Sequence, residues 1–558
     1  MTILGLDIAI WVVLAIYFAG MLLLGWWSKR QAQDREGYLL GNRQFGVWYM
    51  IMHAFGAGTN PGDAAGVVSK TVAGGASGIW VSWMWMFGTP FYWLIAPICR
   101  RMRCLTLADY YRERFGRGAA VLYTLIASIS MTIFFGGVLL ATTRTVQGMM
   151  GQATTPTNPA AVDWWFYGIL LVTTVVFVVY GYWGGIVAAI RTDMAQGIMI
   201  IILSFLAVPL ALGMSEVAGF SGMRETLRGA DPGHLRLFHP THFSLGTIIL
   251  LCIQAPLSAL ALPHLMSVTS AGKTEWEGRM GFAGGNILKR ICTIGWSILG
   301  LAWLAYLIRT GSTIRPDAAF GDAIQRLLPT VLQGLMLACV MAASMSSGDA
   351  VQVTVAGLWT QSIYREYINP EADEHRLLAF TKITGIFIIA VSVVFAVVMQ
   401  NSLVKSIIMY FNILAIMGIS TAMGILWRRM NQTGVIASAV AASIVFVLLR
   451  TPLVPGCPMW AKIGVPIVTG VMFGFLGSLL AAPPRPEVID GFFKRIYVPI
   501  GEEDKLDLPL DEAVPPSRRL CTLGGLFLVW PSLQSVVGFL VIAAICAACV
   551  VTMLAILG

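Results

Sequence analysis

Apolar stretches long enough to cross a lipid bilayer recur along the whole of this 558-residue chain. An α-helix needs about 20 consecutive apolar residues to cross the hydrocarbon core, and a helix satisfies its own backbone hydrogen bonds in lipid. The stretches, numbered as spans 1 to 14, lie at approximately 5–27, 45–69, 76–99, 119–149, 163–184, 190–213, 243–268, 291–309, 330–362, 376–399, 402–427, 432–450, 462–482 and 534–557. The sequence therefore predicts an all-α membrane protein with about 14 transmembrane helices.

Charged residues are scarce and unevenly placed between the spans. Asp, Glu, Lys and Arg make up 12% of the residues, whereas a soluble protein averages about 25%. This scarcity excludes a soluble enzyme of several domains. Lys and Arg outnumber Asp and Glu by 37 to 28, and the basic residues concentrate in alternate loops, which predicts that those loops are cytoplasmic and the N-terminus is outside. The charge balance thus reflects the orientation of the chain in a lipid bilayer and not binding to nucleic acid. We expect that bilayer to be the plasma membrane.

Two polar features lie on the expected cytoplasmic side. Residues 483–533 are rich in Pro and in charges of both signs, a composition typical of a passive cytoplasmic linker, with a regulatory role as the alternative. Lys289 and Arg290 precede span 8, and we interpret them as anchors at the cytoplasmic membrane surface.

Span 2 carries residues that are unusual at the centre of a membrane helix, in the run Gly56-Ala57-Gly58-Thr59-Asn60-Pro61-Gly62-Asp63. Pro61 has no backbone N–H and disfavours helical geometry at Asn60, so we predict a broken helix. Span 7 has a weaker counterpart at Gln254-Ala255-Pro256. Two interrupted helices at comparable places indicate an inverted-repeat transporter with its site at the midplane. Simple kinks are the alternative, but they leave the charge of Asp63 unexplained.

Span 9 places oxygen-bearing side chains inside an otherwise apolar run. Ser346 and Asp349 are three residues apart and share a helix face with Ala343. Hydroxyl, carboxylate and carbonyl oxygens suit a hard cation such as sodium better than a transition metal. Small residues that merely pack between helices are the alternative for the serines, but they do not account for Asp349.

Short motifs spread over nearly the whole chain are similar to those of one known family. They are Tyr38-Leu39-Leu40-Gly41-Asn42-Arg43, Gly75 to Trp80, Thr106-Leu107-Ala108-Asp109-Tyr110-Tyr111, Gly184-Gly185, Thr192-Asp193, Gln196, Ala342-Ala343, Ser346-Ser347 and Ile363-Tyr364. Jointly they resemble the sodium/solute symporter family, that of the sodium/glucose, sodium/proline and sodium/pantothenate cotransporters.

The resemblance implies an architecture for the whole chain. Two inverted five-helix repeats would cover 45–213 (spans 2 to 6) and 243–427 (spans 7 to 11), and sodium would drive alternating access to a site between them. The remaining parts would be the first helix and its loop over 1–44, two peripheral helices over 432–482, the linker over 483–533 and the last helix over 534–558.

The resemblance also implies site residues. The sodium site of the family uses backbone carbonyls of the broken helix and of span 9 together with two adjacent hydroxyls. Carried over to this sequence, the sodium ligands are Gly56, Thr59, Ala343, Ser346 and Ser347. The substrate contacts carried over in the same way are Gly62, Asp63 and Gln254.

Two acidic residues depart from the family pattern. Asp349 stands where some members have a hydroxyl for a second sodium, so we expect a second cation site there, with Asp193 near its exit; a proton-carrying role is the alternative. For Asp193 itself the alternative is an acid in the first turn of span 6, after a Thr192 cap. Asp63 stands where the sugar-transporting members have an amide, and a carboxylate there favours a cationic or polyhydroxyl solute.

The sequence thus favours a sodium-coupled symporter that takes up a small polar organic solute, such as a sugar, an amino acid or a related compound. A proton-coupled transporter of the same fold and a non-transporting membrane sensor remain as alternatives. We find no catalytic constellation in the sequence and do not expect an enzyme.

Overall fold

The computed structural model describes residues 2–3, 5–28, 41–152, 163–183, 186–239, 243–400 and 403–558. Its helices are α1 (Ile8–Ser28), α2 (Val47–Gly58), α3 (Pro61–Gly74), α4 (Trp80–Trp83), α5 (Thr89–Met102), α6 (Leu107–Phe115), α7 (Arg117–Met149), α8 (Trp164–Trp183), α9 (Ile186–Leu212), α10 (Gly219–Ala230), α11 (Leu245–Leu260), α12 (Leu265–Ser270), α13 (Glu275–Thr310), α14 (Ala319–Leu327), α15 (Thr330–Trp359), α16 (Glu374–Val398), α17 (Leu403–Leu426), α18 (Gln432–Leu448), α19 (Met459–Leu480), α20 (Pro486–Tyr497), α21 (Leu510–Ala513) and α22 (Leu533–Leu557).

The remaining regular structure is short. Antiparallel pairs join β1 (Thr2–Ile3) to β2 (Leu6–Asp7) and β3 (Arg519–Cys521) to β4 (Leu528–Val529). A π-helix over Thr360–Ile368 continues α15, and 3₁₀ turns cover Gly41–Arg43, Gly75–Ile79, Met86–Gly88, Pro232–Leu235, Pro316–Ala318, Glu503–Leu506, Pro516–Arg518 and Leu523–Gly525. The motif residues 38–40 and the Gly184-Gly185 pair lie outside the described residues.

Helices occupy the places of the predicted spans. Within the described residues, eight helices are long and apolar enough to cross a membrane, and these are α7, α9, α13, α15 with its π-helical continuation, α16, α17, α19 and α22. Shorter apolar helical stretches lie in α1, α8, α11 and α18. Spans 2, 3 and 7 are divided into shorter helices, α2 with α3, α4 with α5 and α11 with α12. In span 7 the interruption does not lie at Gln254-Ala255-Pro256 as expected, because α11 continues through Pro256 to Leu260; it lies between Leu260 and Leu265, where α12 begins. The protein is therefore a mainly helical, multi-pass membrane protein.

Span 2 is interrupted at Thr59 and Asn60, whose backbones are extended with φ of −116° and −124°. The Asn60 side chain accepts a hydrogen bond from the Gly62 N–H at 2.8 Å, and the Asp63 carboxylate accepts one from the Asn60 N–H at 3.0 Å. These bonds form a capping box, which satisfies backbone groups at the start of a helix. Pro61 follows the cap, where its missing N–H costs nothing. Asp63 thus has a local structural role in starting α3.

The interruption lies deep in the helix bundle. α2 packs against α9, α13 and α15, and α3 packs against α7 and α13. The approach of α13 to α2 is close enough to require a glycine, because a Cβ added to Gly285 would lie 2.6 Å from the backbone nitrogen of Phe55. The unwound residues are therefore surrounded by protein, where non-helical backbone is tolerated at membrane depth.

The interpretation of Lys289 and Arg290 as surface anchors is wrong. α13 starts at Glu275, where Thr274 and Glu277 form a capping box, and it continues without a break to Thr310. Lys289 and Arg290 therefore lie in the interior of a 36-residue helix, and they are only 8% and 2% exposed.

Residues 483–533 connect α19 to α22, but they fold onto the bundle instead of forming a free tether. α20 buries one apolar face made of Ile489, Phe492, Phe493 and Ile496. Ion pairs join Arg495 to Glu113 at 2.5 Å, Arg103 to Glu503 at 3.0 Å, and Arg428 to Asp490.

Candidate functional site

Three helices meet where α2 ends. Gly56 of α2 has no side chain, and a Cβ added to it would lie 3.0 Å from both Ser346 Oγ of α15 and Asp193 Oδ1 of α9. The Thr59 N–H donates to the Gly56 carbonyl at 3.2 Å and closes the end of α2. Thr59 and Ala343 line a common cavity of about 30 Å³. The structure thus places Gly56 beside Ser346, and Thr59 beside Ala343.

Several oxygens in this region are buried without a hydrogen bond among the described residues: Thr59 Oγ1, Asp193 Oδ1, Ser346 Oγ and Ser347 Oγ. Leaving a buried polar group unsatisfied costs about 1–3 kcal/mol, so a concentration of such groups is expensive unless a ligand satisfies them. Hydroxyl, carboxylate and carbonyl oxygens are hard donors. The residues therefore fit a hard cation, and we call Gly56, Thr59, Asp193, Ala343, Ser346 and Ser347 the oxygen cluster.

His53 is a member of this region that sequence reasoning missed. Its Nδ1 lies 2.8 Å from Asp193 Oδ2, and both residues are 1% exposed. One carboxylate oxygen of Asp193 is thus held by His53, while the other faces Gly56 and Ser346. His53 precedes Gly56 by three residues and so shares its helix face, a spacing that the sequence does contain.

Both acidic residues expected at a second cation site lie on helices that contact each other, α9 and α15. Asp193 lies beside Ser346, within the oxygen cluster. Asp349 is one turn further along α15, and its side chain lies outside the described part of the structure.

A larger cavity of about 60 Å³ adjoins the break. The break contributes Gly58, Asn60 and Asp63 to its lining. Its aromatic wall consists of Trp85, Tyr92, Phe134, Phe282, Tyr410 and Phe411, and its other polar lining includes His264, Asn286, Lys289, Arg290 and Ser406. Mostly apolar cavities with a few convergent polar groups are typical of small-molecule sites. We call this cavity the solute cavity.

A buried ion pair lies in the wall of the solute cavity. Lys289 Nζ is 2.9 Å from Asp63 Oδ2 and also donates to the Gly58 carbonyl. Asp63 Oδ2 accepts from the Asn60 side-chain amide as well, at 3.0 Å. The carboxylate of Asp63 is therefore already matched by a cation of the protein, which removes the reason for expecting a cationic solute.

The other two predicted substrate residues are placed differently. Gly62 belongs to the capping box, and a Cβ added to it would lie 2.7 Å from Asn60 Oδ1. Gln254 donates from its Nε2 to Asn412 Oδ1 at 2.5 Å, and both line a separate cavity of about 10 Å³. Of the three residues, only Asp63 lines the solute cavity.

Comparison with known proteins assigns the family. A sequence profile of the "Sodium:solute symporter family" matches residues 38–442. An osmoregulated proline transporter of Bacillus subtilis is 25% identical over 492 residues, which cover 85% of this chain and 94% of that protein. A sodium/proline symporter of Haemophilus influenzae is 24% identical over 510 residues, which cover 87% of this chain and 97% of that protein.

The fold is also similar to that of a solved transporter. A sodium-coupled sialic acid symporter, in a substrate-bound outward-open state, aligns with a TM-score of 0.72 and 16% identity, over 86% of this chain and 99% of that chain. At this identity the likeness concerns the fold. The relatives are transporters and not enzymes, and the profile covers well over half of the chain. This chain belongs to the sodium:solute symporter family.

Proposed function

We propose that the protein couples the entry of sodium to the uptake of a small polar organic solute, by alternating access across the plasma membrane. The observation that carries the proposal is the oxygen cluster, where the end of α2 lies beside the Ser346 hydroxyl of α15 and the Asp193 carboxylate of α9. Ser346 Oγ and Asp193 Oδ1 both lie 3.0 Å from where a Cβ of Gly56 would stand. Sodium is the coupling ion that the family and this donor chemistry favour.

In this proposal sodium binds to the backbone carbonyls of Gly56, Thr59 and Ala343 and to the hydroxyls of Ser346 and Ser347. The interruption at Thr59 and Asn60 supports it, because unwound residues free carbonyl oxygens that a continuous helix uses internally. Asp193 adds a negative charge beside these ligands, and His53 orients it.

The solute binds in the adjoining cavity, whose polar lining includes Asp63. The wider architecture belongs to the same proposal: fourteen membrane crossings, the N-terminus outside, and inverted repeats over 45–213 and 243–427. A second cation site at Asp349, with Asp193 contributing to it, is also proposed.

The test is uptake into proteoliposomes with an inward sodium gradient, compared with potassium or choline at the same pH. Symport requires uptake of a small organic solute that depends on sodium, and it requires that the solute increase sodium entry. Uptake that is unchanged when sodium is replaced would refute sodium coupling. A sensor would bind the solute without accumulating it.

Proton coupling is the second candidate, because the His53–Asp193 pair places two titratable groups beside the oxygen cluster. It predicts uptake driven by an inward proton gradient in sodium-free buffer. Sodium coupling predicts no uptake under that condition.

A further inference from the structure

The charged residues that line the solute cavity do not balance among the described residues. Asp63, Lys289 and Arg290 are the residues of its lining that carry a full charge at neutral pH. His264 also lines it and adds no negative charge in either protonation state. Asp63 and Lys289 neutralise each other through their ion pair. The wall therefore carries one cationic group in excess.

Arg290 forms no ion pair of its own among the described residues, because Asp63, the carboxylate that acts on its charge, is already paired with Lys289. Arg290 Nη1 donates to the Ser82 carbonyl at 3.0 Å, and its Nε donates to Thr89 Oγ1 at 3.4 Å. The Tyr92 hydroxyl also forms a hydrogen bond with Arg290. All three partners are uncharged, and no described carboxylate lies within ion-pair distance of Arg290. A buried charge is retained at low energetic cost only when an opposite charge and hydrogen bonds compensate it. An anionic ligand in the adjoining cavity would provide that compensation.

Lys289 has a hydrogen-bond donor to spare on the same wall. An ammonium group carries three N–H donors, and two of them are directed to the Gly58 carbonyl and to Asp63 Oδ2. The third has no protein acceptor among the described residues, and Lys289 lines the solute cavity. A carboxylate can accept from an ammonium and a guanidinium at once, because each of its oxygens has two acceptor positions.

The rest of the cavity suits the organic part of such a ligand. Six Trp, Tyr and Phe rings belong to the lining, and Trp85 and Phe411 touch with ring centroids 3.9 Å apart. A volume of about 60 Å³ is several times the roughly 10–15 Å³ that a single water needs. The lining thus provides a positive end for an acid group and an apolar surface for a small body.

We infer that the solute is a small organic acid with one carboxylate and no cationic group, and that Lys289 and Arg290 bind its carboxylate while the aromatic wall holds its body. This inference rests on the proposed sodium-coupled transport through the solute cavity. It excludes a neutral sugar, which would leave the excess charge uncompensated. It also excludes a zwitterionic amino acid, whose ammonium group would restore the imbalance.

The test uses the full-length protein in proteoliposomes with matched probes. Sodium-driven uptake is measured for lactate, pyruvate, butyrate and benzoate, for the amides lactamide, pyruvamide, butyramide and benzamide, and for L-proline and D-glucose. We expect sodium-dependent uptake of at least one acid, at least tenfold faster than that of its amide and faster than that of proline and glucose. Sodium-dependent uptake of proline or glucose in preference to every acid would overturn the inference and leave sodium symport intact.

Sodium binding is measured separately, as the rise in melting temperature with sodium over that with potassium or choline. If sodium stabilises the protein and none of the four acids is taken up or adds to the stabilisation, the inference is wrong and the sodium site stands. If sodium neither stabilises the protein nor supports any uptake, the proposed function fails.

A variant pair locates the acid site. Asp63→Asn with Lys289→Gln removes the ion pair without leaving a buried charge behind, and we expect it to raise KM for the transported acid at least tenfold. The sodium concentration for half-maximal transport should change less than twofold. Arg376→Gln removes an exposed cation and serves as the charge control, with KM unchanged. An unaltered KM in the double variant would contradict the assignment of Lys289.

Discussion

Alanine substitution of two serines on the same helix should affect two different properties of the protein. Ser346 and Ser344 are both buried in α15. Ser346 Oγ makes no hydrogen bond among the described residues, whereas Ser344 Oγ donates to the Val340 carbonyl at 2.8 Å and contacts Thr142 Oγ1 at 2.6 Å. We expect Ser346→Ala to weaken sodium binding and Ser344→Ala to weaken folding.

The size of each effect follows from what the hydroxyl contacts. A bond from a neutral group to a charged one contributes about 1.5–3 kcal/mol, so the loss of Ser346 Oγ should raise the sodium dissociation constant between about tenfold and a hundredfold. Asp193, which lies beside Ser346 Oγ, keeps its bond to His53 in the variant, and alanine is the better helix former. The loss of Ser344 Oγ removes a satisfied hydrogen bond, which costs about 0.5–1.5 kcal/mol of the free energy of unfolding.

Two measurements on purified protein separate these effects. The free energy of unfolding in sodium-free buffer should fall only in Ser344→Ala. The sodium concentration for half-maximal uptake should rise only in Ser346→Ala. Sodium at a hundred times its dissociation constant stabilises a protein by about 2.7 kcal/mol, and a tenfold weaker site loses about 1.3 kcal/mol of that.

Two results would contradict the prediction that Ser346 is a sodium ligand. If the half-maximal sodium concentration in Ser346→Ala stays within twofold of that of the unmodified protein, the hydroxyl is not a ligand and its role is packing. If both variants lose sodium affinity equally, the effect comes from distortion of α15 and not from a missing oxygen.

Three further changes test other parts of the structure. Asp63→Asn alone should destabilise the protein by up to about 3–5 kcal/mol, because it leaves Lys289 buried without its partner, and adding Lys289→Gln should recover most of that loss in thermal unfolding. Transport should show a sodium Hill coefficient above one that falls towards one in Asp349→Ala, because the variant removes the carboxylate of the proposed second cation site; an unchanged coefficient, with pH dependence lost in Asp349→Asn, would assign a proton instead. Phe493→Ala should lower the free energy of unfolding by about 3–5 kcal/mol in chemical unfolding, since Phe493 is fully buried. The control Leu523→Ala should change it by less than about 0.5 kcal/mol, since Leu523 is 83% exposed. Equal effects of the two variants would mean that α20 is not docked.

The position of the helices and of the break could be predicted from the sequence, because both depend on local chemistry. Apolar length determines where a membrane helix can lie, and Pro61, with glycines at 56, 58 and 62 around it, favours an interrupted helix. The family resemblance, confirmed by the profile over 38–442, then linked Ser346 to the break. Its proximity to Gly56 depends on the packing of α2 and α15, which no local rule contains.

The role of Lys289 could not be predicted by counting apolar residues. The apolar stretch of span 8 begins after the charged pair, at residue 291. The helix itself starts sixteen residues earlier, at the capping box of Thr274 and Glu277. A lysine at a helix start is ordinarily a surface anchor, and only its contact with Asp63, 226 positions away in sequence, makes it a buried one. Long-range pairing of this kind has no signature in a single sequence.

The packing of residues 483–533 onto the bundle could not be predicted from their average composition. Averaged over 483–533, proline and charge suggest a tether. Within that stretch, Ile489, Phe492, Phe493 and Ile496 follow helical spacing, and this short stripe is buried. An average over some fifty residues conceals an apolar face only eight residues long.

The candidate sodium site and the solute cavity share a residue of the break in span 2. Asn60 lines both the small cavity beside Ala343 and the solute cavity, and its side chain holds the cap of α3 together with Asp63. Sodium bound to carbonyl oxygens of the break would hold Thr59 and Asn60 in place. Of these unwound residues, Asn60 also shapes the solute cavity. A ligand that orders a shared segment lowers the ordering cost for the second ligand. Because such coupling is reciprocal, a solute that binds more tightly with sodium present must increase the affinity for sodium by the same factor.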